Sequence, residues 1–203
     1  LRILQEGGNA TDAVIAMAGV LAVVRPHMNG IGGDAFGIFY DGETGEISSL
    51  NASGRAGSAA TPEFFAAAGV ERIPGRGALS VSVPGAVAGW VDAHERLGSK
   101  EFAYLLEPAI EYARGGFPVS TRLAMDFKEQ GEALNEVGKN LYLPEGSPPS
   151  VGTLLKNVAL ANTLETIANE GKQGYYEGDI AIQLSAFITE RGGHLREEDF
   201  TNH

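Results

Sequence analysis

The chain has 203 residues, 43% apolar and 20% charged, proportions that suit one globular domain with a real core. Its formal net charge is −11, with the acidic residues scattered and not gathered into a tail, so it lacks the electrostatic footprint of a protein that binds nucleic acid or an anionic membrane. It contains no cysteine, which excludes disulfides, thiolate metal sites and a cysteine nucleophile within these residues.

Asn9 is a candidate helix cap, with Asp12 at the third position to favour the positive end. The apolar and small residues that follow, Ala10 to Val24, surround the helix on nearly every side and predict a helix buried all round. It must stop at Pro26. The longest apolar run, Ala16 to Val24, is too short to span a membrane. No signal peptide is visible, and the first residue, Leu1, falls inside a helical segment, so the true N-terminus is expected upstream of it.

His27-Met28-Asn29-Gly30-Ile31-Gly32-Gly33-Asp34 follows, and three glycines this close predict irregular backbone packed tightly against a neighbour. Ala35 to Tyr40 and Glu46 to Leu50 read as paired strands joined by the turn Asp41 to Gly45. Helices are predicted over 62–69, from near Pro84 through Leu97, over 101–114 and across the polar stretch 118–138. A turn-rich break at 144–149 precedes one from Val151 or Leu154 to Asn169, and another runs over 179–191. The order is helix, hairpin, then many helices. It predicts one α+β domain over 1–203, with helices packed on a sheet whose remaining strands lie outside these residues, because two strands alone make no stable layer.

Most chemical motifs fail on context. Gly30-Ile31-Gly32-Gly33-Asp34-Ala35 fits a dinucleotide fingerprint in letters only: it follows a helix and enters a strand, the reverse of a Rossmann turn. The four histidines, His27, His94, His194 and His203, show no helix-face ligand spacing, so neither metal nor cofactor is predicted. His27 stands beside the glycine run and reads as structural. Asn9-Ala10-Thr11 and Asn51-Ala52-Ser53 fit the glycosylation pattern, which arises often by chance. Trp90 reads as core. No nucleophile or acid–base constellation is evident.

Several segments together resemble one family, in order and across the whole chain. Leu4-Gln5-Glu6-Gly7-Gly8-Asn9-Ala10-Thr11-Asp12-Ala13 is similar to the opening of γ-glutamyltranspeptidase large subunits. Pro26 with Gly30 to Phe36 resembles the family's glycine-rich segment, and Pro84-Gly85-Ala86-Val87-Ala88-Gly89 its helix start. Pro108 to Phe117, Tyr176 to Ala181 and Gly192 to Phe200 match later large-subunit segments. The resemblance implies an N-terminal-nucleophile hydrolase, a four-layer αββα sandwich of which this chain supplies mostly helices from the N-terminal part of the large subunit. It implies γ-glutamyl acyl transfer and hydrolysis on glutathione and related amides. The nucleophile is an N-terminal threonine, freed by self-cleavage, in a small-subunit segment outside this chain. The implied partners are that segment and a γ-glutamyl small molecule.

The family's large-subunit arginine follows the second strand and grips the substrate α-carboxylate. The corresponding stretch here is Leu50-Asn51-Ala52-Ser53-Gly54-Arg55-Ala56-Gly57-Ser58-Ala59. Without a gap, the arginine position falls on Ser53, and Gly57 stands where the family has proline. Arg55, two residues on, is the candidate substrate-binding residue. Ser53-Gly54-Arg55-Ala56 also resembles the family's cephalosporin or glutaryl acylase branch, which leaves an acylase as the alternative activity. A non-catalytic binding fragment is a third reading.

Overall fold

A computed structural model describes all residues, Leu1 to His203. In chain order the elements are α1 (Arg2–Gln5), α2 (Ala10–Val24), β1 (Ala35–Tyr40), β2 (Ile47–Ala52), α3 (Pro62–Ala67), α4 (Ala86–Leu97) and α5 (Phe102–Gly115). They continue with β3 (Phe117–Pro118), α6 (Thr121–Gln130), α7 (Glu136–Tyr142), β4 (Leu154–Leu155), α8 (Val158–Tyr176), α9 (Asp179–Glu190) and α10 (Glu197–Thr201). They fall into two compact units, one of Leu1–Gly30 with Ala103–Glu165, the other of Ile31–Phe102 with Thr166–His203.

In the first unit, α2 starts as its sequence dictates. Asn9 Oδ1 accepts the Asp12 amide at 3.0 Å and Asp12 Oδ2 accepts the Asn9 amide at 2.9 Å, a reciprocal capping box. The helix is not buried all round. Ile15, Ala16, Gly19, Ala22 and Val23 are buried, whereas Val14, Met17 and Leu21 are exposed. The reason is that only the small-residue side takes a close neighbour: a Cβ on Gly19 would stand 3.1 Å from Leu106 Cδ2 of α5.

The polar stretch 118–138 is not one helix. Ser120 caps α6 through the Leu123 amide at 3.2 Å, and Asn135 restarts the chain as α7 through the Gly138 amide at 2.8 Å. The helix expected from Val151 or Leu154 begins later, at Val158. Leu154 and Leu155 instead pair antiparallel with Pro118 and Phe117, and Asn157 caps α8 through the Leu160 amide at 2.9 Å.

His27 has a structural place in this unit. Its Nε2 lies 2.9 Å from a carboxylate oxygen of Asp126, which is 2% exposed. Arg122 Nε approaches the same carboxylate to 3.0 Å and Arg25 Nη2 to 3.8 Å. A buried carboxylate is tolerated because cationic groups surround it.

In the second unit, β1 and β2 form an antiparallel hairpin in which Ala35 faces Ala52 and Tyr40 faces Ile47. Asp41 makes the turn by accepting the Glu43 amide at 2.8 Å and the Thr44 amide at 3.3 Å, contacts that hold its carboxyl below the usual range. One face of the hairpin lies on α4, so close at Gly89 that a Cβ there would stand 2.5 Å from Ala52 Cβ. Trp90 is buried as expected. The opposite face is apolar and bare: Phe36 is 69% exposed, Ile38 81%, Tyr40 70% and Ile47 72%. The run α8 breaks at Gly171, where φ is +59°, and then carries Tyr175 and Tyr176 into the core.

The glycine run is not where backbone packs most tightly. A Cβ on Gly32 or Gly33 would meet nothing within 4 Å. Much closer approaches fall at Gly54 and Gly85, where loop and helix-entry backbones touch, and at Gly89, which lies on the Ala52 methyl.

Replacing Asp126 by alanine removes the shared partner of Arg25, His27 and Arg122. We expect a loss of about 3 kcal/mol in denaturant unfolding. A loss well under about 1 kcal/mol would show that Arg25, His27 and Arg122 are satisfied by water instead.

Candidate substrate-binding loop

Ala52, buried at the end of β2, leads into the loop Ser53 to Ser58. Its first residues are tied back locally: the Ser53 amide donates to Asn51 Oδ1 at 3.0 Å and the Gly54 amide to Asp34 Oδ1 at 3.3 Å. The loop then runs hard against the entry to α4. A Cβ on Gly54 would stand 1.6 Å from the Val83 carbonyl oxygen, and one on Gly85 would stand 2.1 Å from that of Ala52. No side chain fits at either place. The Val83 amide donates to the Arg55 carbonyl at 2.9 Å, and the Gly85 and Ala86 amides both donate to the Gly33 carbonyl, at 3.0 and 2.8 Å.

The second brace comes from much later in the chain. A Cβ on Gly57 would stand 2.7 Å from His194 Nδ1, 2.8 Å from Leu195 Cδ2 and 3.0 Å from Asp199 Oδ2. The Ser58 amide donates to Asp199 Oδ1 at 2.7 Å, and the Arg196 amide donates to Asp199 Oδ2 at 2.8 Å. Burial raises the Asp199 carboxyl, but the amide donations from Ser58 and Arg196 outweigh it and leave the group below its ordinary value. His194 is buried against the edges of Phe64 and Phe65, and that burial pushes its imidazole below 6.5.

Tyr176 anchors α4 from beneath. Its hydroxyl donates to the Pro84 carbonyl at 2.6 Å and accepts the Ala88 amide at 3.0 Å. Burial pushes its pKa up to about 12, so it remains a phenol able to donate.

Arg55 therefore projects from a loop whose backbone is held on both sides. Its side chain is exposed and makes no ion pair with a carboxylate. Its charge is felt by His203, which burial first, then Arg55 and Lys172, push below its ordinary value. Lys172 itself pairs with Asp92. Ser53 is also exposed, on the same loop. Reading the sequence placed Arg55 here but missed the braces. Asp199 and Tyr176 stand only inside longer matching segments, His194 stands there and among histidines without ligand spacing, and nothing local to residues 53–58 announces a partner 141 positions away.

This arrangement, helices on one face of a two-stranded antiparallel sheet with a loop leaving the second strand, is α+β. It superimposes on solved N-terminal-nucleophile hydrolases. One is the Helicobacter pylori γ-glutamyltranspeptidase, with a TM-score of 0.91 and 32% identity, covering 98% of this chain and 59% of that one. Another is a cephalosporin acylase from Bacillus halodurans, with a TM-score of 0.91 and 36% identity, covering 100% of this chain and 39% of that one. The chain belongs to the γ-glutamyltranspeptidase family, whose profile matches residues 1–203. It is 36% identical over 205 residues to the glutathione hydrolase-like YwrD proenzyme of Bacillus subtilis, and the match takes in the whole chain but 39% of that protein's length.

His194, with its folded pKa below 6.5, contributes stability that is complete above that value and is lost as pH falls through the folded value. Asp199 contributes in the same direction at lower pH, since its folded pKa lies below 3.8. We expect the unfolding midpoint to fall as pH drops below 6.5, and His194→Phe to flatten that fall. An unchanged slope in the variant would mean that the imidazole is not buried as described.

Proposed function

We propose that the protein of which this chain is part carries out γ-glutamyl transfer and hydrolysis, and that Arg55 holds the α-carboxylate of the γ-glutamyl group. The observation that carries this is an exposed guanidinium, free of carboxylate partners, on a clamped loop directly after the second strand. A guanidinium fork grips both oxygens of a carboxylate at once, and a fixed backbone lets it do so without ordering a loop on binding.

The chemistry itself falls to residues outside this chain. An N-terminal threonine, freed by self-cleavage, attacks the γ-glutamyl carbonyl through its hydroxyl, and its own α-amine takes the proton. Amide donors stabilise the oxyanion. Water or an amine then takes the acyl group. The same missing segment supplies strands beside β1 and β2 and a layer over Phe36, Ile38, Tyr40 and Ile47. The glutathione hydrolase-like relative, named a proenzyme and matched over 39% of its length, supports the existence of a further segment.

A second reading is favoured by the likeness to the cephalosporin acylase. Arg55 stands two residues beyond the position that carries arginine in transpeptidases. A glutaryl side chain carries its acid group at the same distance from the scissile carbonyl as a γ-glutamyl group and lacks only the α-amino group, so a guanidinium at Arg55 suits either acyl chain.

Arg55→Ala should raise KM for a γ-glutamyl anilide by between about ten-fold and about a hundred-fold in the processed protein, with little change in kcat. An unchanged KM would remove Arg55 from the pocket. Comparing glutaryl with γ-glutamyl substrates separates the two readings, because only the second presents an α-amino acid head. A preference for glutaryl amides would replace the first reading by the acylase one.

A further inference from the structure

A side chain that is exposed and unpaired can reach a defined point only if its backbone is fixed. Arg55 lies between two pins. The first is its own carbonyl, which accepts the Val83 amide at 2.9 Å. The second is the Ser58 amide, which donates to Asp199 Oδ1 at 2.7 Å.

Asp199 has more to do than cap a short helix. Capping is served by one oxygen, Oδ2, which accepts the Arg196 amide at 2.8 Å. The other oxygen reaches across to a loop far away in sequence. Ser58 is exposed, so water could satisfy its amide equally well. The bond to Asp199 therefore sets the position of the loop and is not forced by burial. Gly57 completes the seat, since only a residue without Cβ brings the loop backbone into contact with His194, Leu195 and Asp199.

We infer that Asp199 is a positioning residue for Arg55: its carboxylate bridges α10 and the loop, and so sets where the guanidinium meets the substrate's acid group. The inference rests on the reading of Arg55 as the substrate-binding residue. Asp199 touches no substrate and acts only through the loop.

The test is a double-mutant cycle on the full-length processed protein, with a γ-glutamyl anilide as substrate. Asp199→Ala should raise KM roughly ten-fold while kcat changes by less than about two-fold. Asp199→Asn keeps one carbonyl acceptor and should recover part of that loss. In the Arg55→Ala background, Asp199→Ala should add nothing. Gly57→Ala wedges the same seat apart with Asp199 intact and should reproduce the rise in KM, so it carries the test if Asp199→Ala does not fold. Equal KM penalties for Asp199→Ala with and without Arg55, or a loss confined to kcat, would overturn the inference while leaving Arg55 in place. If Arg55→Ala alone leaves KM unchanged, the substrate reading fails and the inference goes with it.

Discussion

The second unit depends on backbone meeting backbone where β2 leaves the sheet and α4 begins. Gly54 lies on the Val83 carbonyl and Gly85 on that of Ala52, at separations that leave no room for a methyl group. Such contacts are only possible at glycine, and they close the loop and the helix entry into one rigid piece. Hydrogen bonds finish the joint: Val83 to Arg55, and Gly85 and Ala86 to Gly33. Tyr176 holds the far side of the same joint through Pro84 and Ala88. Everything proposed for Arg55 follows from this rigidity, because a guanidinium on a free loop would lose much of its binding energy to ordering.

The sheet makes a second demand. Its two strands pack one face on α4 and leave Phe36, Ile38, Tyr40 and Ile47 open. These four lie on one face because Tyr40 faces Ile47 in the register and the others follow at steps of two along β1. A contiguous apolar face of this kind calls for a cover. In the proposed enzyme the cover and the nucleophile come from the same segment, so covering the face and completing the catalytic site are one event.

Local signals made much of this legible. Asn9 and Asp12 announced the start of α2, Pro26 its end, and the turn residues Asp41 to Gly45 the hairpin, because caps and turns are short-range chemistry. Where a second cap intervenes, at Asn135 or Asn157, the expected helix ran through it. The glycines misled for another reason. A run such as Gly30 to Gly33 draws the eye, but close approach is a property of two segments, and Gly54, Gly85 and Gly57 meet partners that no local pattern reveals. The candidate site divided the same way. Arg55 was found by resemblance to a family segment, whereas Asp199 and His194 required the three-dimensional contact.

The most direct measurement is a crystal structure of the processed full-length protein with glutamate bound. The account predicts the Arg55 guanidinium within about 3 Å of both α-carboxylate oxygens, with the Ser58 amide still on Asp199. A glutamate whose α-carboxylate is held by other residues, with Arg55 in solvent, would contradict it.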